Sequence, residues 1–204
     1  MRHVPTISRE SITAVVLAGG RALRMGGQDK GLIEVGGRPA IEYPIDAVSS
    51  QVGALLISAN RNQASYRTYG VPVVGDSQSG FPGPLAGILS AMDAARTDYL
   101  LTLPCDALLL RPGFVSSMTD AFAAGAGNAC LAWDGQRRQP MFALLHCELA
   151  QSLRAFLGAG GRRALTWVES LQPTLADFSG RSEWFFNMNT PADRAWLERQ
   201  LVIA

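Results

Sequence analysis

The chain holds only three cysteines, Cys105, Cys130 and Cys147, with no C-x-x-C pair among them, which argues against a disulfide framework and a thiolate zinc knuckle. They are expected as reduced, buried thiols. Charge is sparse too: Asp, Glu, Lys and Arg make up 17% of the 204 residues, against roughly 25% in an average globular domain. Eighteen basic and 17 acidic side chains leave a formal net charge of +1. Nothing in that balance draws in a nucleic acid or an anionic membrane, so an anionic ligand must be held locally. No apolar run approaches the roughly 18 residues of a membrane span, and residues 1–11 (MRHVPTISRES) lack the apolar stretch of a secretory leader. A cytoplasmic protein is expected. The two histidines, His3 and His146, stand in no catalytic pattern and read as structural.

What the chain does have is apolar residues at 48%, with 21 Gly and 11 Pro, which describes a protein that folds and whose loops carry function. The length suits one domain over residues 12–204 after a flexible tail over 1–11. Thr13–Ala18 (TAVVLA), Ala54–Ala59 (ALLISA) and Tyr99–Leu103 (YLLTL) read as strands buried on both faces, with a shorter one over Val71–Val74. Between them lie helical patterns over Pro39–Ser50, with Pro39 in the first turn, and over Pro84–Ala95. Beyond the third core strand come a helix over Phe114–Ala124 and a hairpin of Asn128–Trp133 with Pro140–His146. Helices over Glu148–Leu157 and Arg163–Leu171, a strand over Thr174–Phe178, and a helix over Pro191–Leu201 capped by Thr190 complete the order. Alternation of this kind predicts a three-layer α/β/α sandwich on a mostly parallel, Rossmann-like sheet with an added hairpin. Its ligands should sit at the carboxyl ends of the strands.

The first strand runs into Gly19-Gly20-Arg21-Ala22-Leu23-Arg24-Met25-Gly26-Gly27-Gln28-Asp29-Lys30. Four glycines expose backbone N–H groups that can point at phosphate oxygens, while Arg24 and Lys30 add charge-assisted hydrogen bonds. A solvated basic loop is the plain alternative. Lys30 follows Asp29, so G-x-x-x-x-G-K-[ST] fails, and the Gly19-Gly20 spacing fails G-x-G-x-x-G. Asp106 ends the third core strand, where its carboxylate suits a hard cation such as Mg²⁺, which needs one or two carboxylates plus substrate phosphates. Alone it reads more readily as a helix N-cap or loop residue.

The segment LAGGRALRMGGQDKGL resembles the L-A-G-G-x-[SA]-x-R-M-G-x-D-K signature of the bacterial molybdenum cofactor guanylyltransferases, whose fold is of the nucleotide-diphospho-sugar transferase type. Ser58-Ala59-Asn60-Arg61, Asp76, Phe81-Pro82-Gly83-Pro84-Leu85, Leu103-Pro104-Cys105-Asp106 and Asn187-Met188-Asn189-Thr190-Pro191 extend the resemblance from about residue 12 to 200. It implies transfer of GMP from GTP to the terminal phosphate of molybdenum-molybdopterin, releasing pyrophosphate, with Mg²⁺ required. Arg24, Lys30 and Asp106 would then be catalytic, Asp106 holding the metal. Leu17, Ala18, Gly19, Gly20, Lys30, Ser58, Asp76 and Asp106 would bind the nucleotide, Ser58 standing where the family usually has Asn. Pro82, Gly83, Asn187 and Asn189 would take the molybdopterin side. Replacing the two asparagines should weaken molybdopterin and spare GTP; replacing Arg24 or Lys30 should do the reverse. Arg137, Arg138, Arg162 and Arg163 are candidates for anionic groups of the acceptor, or solvated surface. Partners implied are GTP, molybdenum-molybdopterin, molybdenum insertion proteins and apo-molybdoenzyme chaperones, with neither nucleic acid nor membrane. Cytidylyl transfer to the same cofactor, nucleotidyl transfer to a sugar phosphate, and a non-catalytic molybdopterin carrier are the competing readings.

Overall fold

Short β-branched and leucine-rich runs, each stopped by glycine or a polar turn, line up as a single sheet in the computed structural model, which describes residues 7–18, 21–22, 27–76 and 83–203. Its strands are β1 (Ile12–Leu17), β2 (Ala54–Ser58), β3 (Val73–Val74), β4 (Tyr99–Pro104), β5 (Ala129–Trp133), β6 (Arg138–His146) and β7 (Thr174–Asp177). They follow the order β7-β5-β6-β4-β1-β2-β3. β6 runs antiparallel to both its neighbours and the other pairs are parallel. The helices are α1 (Glu42–Ser49), α2 (Gln63–Arg67), α3 (Pro84–Ala94), α4 (Phe114–Ala124), α5 (Ala150–Gly158), α6 (Ala164–Ser170) and α7 (Pro191–Ile203).

The two-residue period of a strand sends alternate side chains to opposite faces. On one face Ile12, Ala14, Leu101, Leu103 and Leu144 pack against Val48 of α1 and Phe114, Met118 and Phe122 of α4. On the other, Val15, Leu56, Leu100, Leu131 and Leu145 meet Leu85, Ile88 and Met92 of α3, Leu153 of α5 and Trp167 of α6. The three-layer sandwich expected from the alternating pattern is therefore present, with both faces of the sheet buried.

Four local readings change. Pro39 is not in a helical first turn. Gly36 and Gly37, at φ 60° and 80°, make a two-residue turn that pairs Glu34 with Pro39 and Val35 with Arg38, and α1 starts only at Glu42. Positive φ at both central positions is the hairpin geometry glycine permits, and it outranks proline's preference for a helix start. Helix α2 has no counterpart in the sequence reading; it is short and entered through Asn62 in the left-handed region at φ 52°. Residues 7–11, read as tail, are structured: Arg9–Ser11 form a 3₁₀ turn, Ile7 packs on the core, and Arg9 Nη1 donates to Ser50 O at 3.0 Å. The hairpin strand begins at Arg138 and bulges, since Gln139 faces Ala132 while Ala143 faces Leu131. Buried Thr102 of β4 repairs the break, its Oγ1 donating to Met141 O at 3.0 Å and accepting from Ala143 N at 3.2 Å.

Candidate functional site

Parallel pairing of β1 with β4 puts Leu17 opposite Pro104, so Ala18 and Cys105-Asp106 leave the sheet side by side. The exit is pinned by Cys105 N donating to Leu17 O at 3.0 Å and Ala18 N to Ser58 O at 2.8 Å. Asp106 is 5% exposed, and a carboxylate so buried needs a compensating charge. Lys30 supplies it, Nζ lying 3.1 Å from Asp106 Oδ2 and donating also to Asn189 Oδ1 at 2.7 Å. One ammonium thus gathers the loop, the end of β4 and the segment before α7, using two of its three donors.

Asn189 is itself held by a capping box at the start of α7. Its N–H and that of Thr190 each donate to Asp193 Oδ2 at 2.8 Å, and Asp193 N–H donates back to Thr190 Oγ1 at 3.2 Å. Burial would raise the Asp193 carboxyl, but the Asn189 and Thr190 groups, with the charge of Lys30, outweigh it and leave it below the ordinary carboxylate range. The capping role expected of Thr190 is met.

Two cavities flank this junction. One, of about 220 Å³, is lined by Leu17, Ala18, Ser58, Asn60, Asp76 and Gly83. Its floor depends on Gly87 of α3, where a Cβ would stand 2.4 Å from Ser58 Oγ. Asp76 and Asn60 bond reciprocally, Asn60 Nδ2 donating to Asp76 Oδ2 at 2.6 Å and Asp76 N to Asn60 Oδ1 at 2.8 Å. Burial pushes the Asp76 carboxyl up, and the Asn60 amide offsets part of that. The other cavity, of about 420 Å³, is lined by Arg137, Arg138, Pro140, Phe186, Asn187 and Asn189. Asn187 Oδ1 is shielded from solvent without a hydrogen-bond partner among the described residues. Buried acceptors of that kind are rare unless a ligand or water completes them.

The structure thus brings Leu17, Ala18, Ser58 and Asp76 into one cavity, Asn187 and Asn189 into another, and Lys30 with Asp106 between them. Gly83, expected on the acceptor side, lines the cavity of Ser58 and Asp76 instead, because Pro84 starts α3 against the end of β2. Gly19, Gly20, Arg24 and Pro82 lie outside the described residues. Arg137 and Arg138 line the larger cavity while pairing with Asp134 and Glu169; Arg162 donates to the carbonyls of Leu157 and Gly161, and Arg163 precedes α6. His146 stacks edge-on with Tyr99 and accepts from Glu148 N, a structural role. All three cysteines are free, two buried and Cys147 half-buried. Among the described residues no three His, Cys, Asp or Glu side chains gather into a metal-binding group.

Asn60 stands in a matching segment without a role in the sequence reading, and Asp193 is absent from it. Asn60 is two residues past Ser58 on the same strand exit, a spacing that would have found it, and T-x-x-D at 190–193 is a readable capping box.

Residues 14–174 match the MobA-like NTP transferase domain. The chain is 43% identical over 190 residues to a molybdenum cofactor guanylyltransferase of Shewanella loihica, covering 93% of this chain and 97% of that protein. It is 44% identical over 179 residues to its counterpart in Shewanella putrefaciens, covering 88% and 92%. Among solved structures, molybdopterin-guanine dinucleotide biosynthesis protein A from Archaeoglobus fulgidus superposes with a TM-score of 0.78 at 19% identity, over 94% of this chain and all of the other. The 4-diphosphocytidyl-2C-methyl-D-erythritol synthase of Anaerococcus prevotii does so with 0.73 at 13% identity, over 94% and 96%. Those two likenesses concern the fold; the domain match and the two close relatives show that the chain belongs to the MobA-like NTP transferase family.

Proposed function

We propose that the protein transfers GMP from GTP to the terminal phosphate of molybdenum-molybdopterin, forming the guanine dinucleotide cofactor and releasing pyrophosphate. The observation that carries the reading is the junction of Lys30, Asp106 and Asn189 between two cavities, one ending in a carboxylate and the other bordered by Arg137, Arg138 and an unpartnered amide oxygen. A carboxylate at Asp76 suits the N1–H and N2–H₂ donors of guanine, and the backbone at Leu17 and Ala18 borders the same cavity. Arginines beside an amide suit an acceptor that carries both a pterin and a phosphate. The acceptor's own phosphate oxygen attacks the α-phosphorus, the α–β bond breaks, and pyrophosphate leaves with the electron pair. No side-chain nucleophile is required, and the chain's task is position and charge. Lys30 meets the charge that develops on the phosphates, and Asn189 steadies the ammonium from the acceptor side.

Asp106 fits a divalent cation, magnesium in this proposal: it is a hard oxygen ligand, buried at the end of β4, and it would hold the ion beside the ammonium of Lys30. Bound there, the ion would neutralise charge on the triphosphate. Among the described residues no helix is long and apolar enough to cross a membrane, and we place the reaction in the cytoplasm, where GTP is available.

Titration calorimetry with GTP, CTP and ATP, with and without magnesium, tests the proposal. GTP should bind in the micromolar to millimolar range, and the other two distinctly more weakly. Asp76→Asn should erode the GTP/CTP ratio more than phosphate affinity. Asp106→Ala should abolish turnover while leaving the fold intact. Equal heats for GTP and CTP would move the reading to another nucleotidyl transfer, and an Asp106→Ala variant with full magnesium-dependent turnover would sink it.

A further inference from the structure

A buried carboxylate that the transfer itself does not use lies one residue before Lys30. The Asp29 side chain is 2% exposed, and three side chains at the end of β2 and on α2 converge on it. Tyr66 Oη donates to Asp29 Oδ1 at 2.5 Å, Asn62 Nδ2 donates to Oδ2 at 3.0 Å, and Arg61 Nε lies 3.7 Å from Oδ2. The Arg61 guanidinium also grips the chain leading to Asp29, donating to Gly27 O at 3.2 Å and Gln28 O at 3.0 Å. On the other side of Lys30, a Cβ at Gly31 would stand 2.6 Å from Tyr66 Oη, 3.3 Å from its Cε1 and 3.4 Å from Cys105 Cβ. Tyr66 is fully buried and packs in one apolar cluster with Cys105, Val16, Ile41 and Ile57.

We infer that Tyr66 is a positioning residue that sets Lys30 against Asp106. Its hydroxyl bonds Asp29 on one side of Lys30, and its ring and hydroxyl occupy the space that a side chain at Gly31 would need on the other. Gly31 in turn borders Cys105, the residue before Asp106, so one aromatic side chain registers the two segments that carry the interacting charges. A lysine tip has four rotatable bonds and reaches a defined point only if its Cα is fixed. The ammonium–carboxylate distance of 3.1 Å is the quantity this arrangement controls. The absence of a side chain at residue 31 is part of the device, since a methyl there would displace the Tyr66 hydroxyl from Asp29.

The inference rests on the guanylyl-transfer reading, and the experiment separates the two. kcat and the KM for GTP are measured at saturating acceptor, with thermal melting and circular dichroism, on the full chain. The variants are Tyr66→Phe, Gly31→Ala, their double mutant and Lys30→Ala. Tyr66→Phe should lower kcat by about tenfold or more, since a misplacement near 1 Å costs up to ~100-fold, and should raise the KM for GTP by no more than Lys30→Ala does. Gly31→Ala should give a similar loss. The double mutant should be no worse than the worse single mutant, because removing the hydroxyl removes the atom that the new methyl strikes. Wild-type kcat in Tyr66→Phe would overturn the inference. So would single effects that multiply in the double mutant and follow the loss of melting temperature, since that pattern marks general destabilisation. If Tyr66→Phe fails to fold, Asn62→Ala removes a donor to Asp29 and spares the apolar cluster, and the same drop in kcat is required of it. Lys30→Ala with normal turnover would instead overturn the transfer reading itself.

Discussion

At the residue scale, Asp106 stands out in the sequence because it is a charged group at the end of a buried strand, where charge is costly without a purpose, and Lys30 because it closes a glycine-rich basic segment. Their mutual contact is not legible there, nor is the hydrogen bond that Lys30 Nζ donates to Asn189 Oδ1 at 2.7 Å, which joins groups from opposite ends of the chain. That bond redraws the boundary between the two subsites. The sequence reading assigns both asparagines to the acceptor alone, but Asn189 also holds the group assigned to the triphosphate, while Asn187 lines the larger cavity. Asn187→Ala should therefore weaken the acceptor and spare GTP. Asn189→Ala should weaken both, by about tenfold each, a loss of ~1.4 kcal/mol. Parallel titrations of GTP and molybdopterin on each variant check this. An Asn189→Ala protein with unchanged GTP affinity would restore the two independent subsites.

At the element scale, hydrophobic runs found every long strand and helix, since burial on both sheet faces leaves a strong pattern. The pattern is silent where the backbone departs from a period. The Gly36-Gly37 turn and the bulge of β6 are set by positive φ and by hydrogen bonds across strands. The bulge has a consequence for the site: between Gln139 and Ala143 it frees Pro140 from strict register, and Pro140 lines the larger cavity beside the paired Arg138. Thr102, fully buried, is what makes the bulge affordable, through its bonds to Met141 O and Ala143 N. Thr102→Val keeps the shape and strands both groups, at a cost of ~1–3 kcal/mol. Urea denaturation should show that loss, and Thr102→Ser should recover most of it. Equal stability of the Val variant would mean that other groups satisfy the bulge.

At the scale of the whole molecule, the carboxylates divide by what surrounds them, and the division sets how stability follows pH. Burial would raise Asp134, but N–H groups of Arg137 and Gln136 at 2.8 Å each, with the Gln139 amide at 2.6 Å, bring it below its ordinary value. Asp193 is depressed in the same way. A carboxyl depressed in the folded state contributes stability that is complete above its unfolded pKa and is lost as pH falls through the folded one. Asp76, raised by burial, acts in the opposite sense: its ionisation weakens the folded state as pH rises, so acidification relieves it. The cysteines do not enter at neutral pH, since burial pushes Cys130 up to about 12 and Cys147 to about 11. With Asp177, lowered by the hydroxyl and N–H of Ser179, three depressed carboxylates outnumber the one raised group, so the net slope should favour neutral over acid pH. Melting temperature should fall on acidification from about pH 5 to about pH 3, across the ordinary carboxylate range. Asp134→Asn should be less stable at neutral pH by ~1–3 kcal/mol, yet lose less on acidification, because the titrating group is gone. If the Asn variant and the natural protein run parallel from neutral to acid pH, the Asp134 turn does not contribute to acid sensitivity.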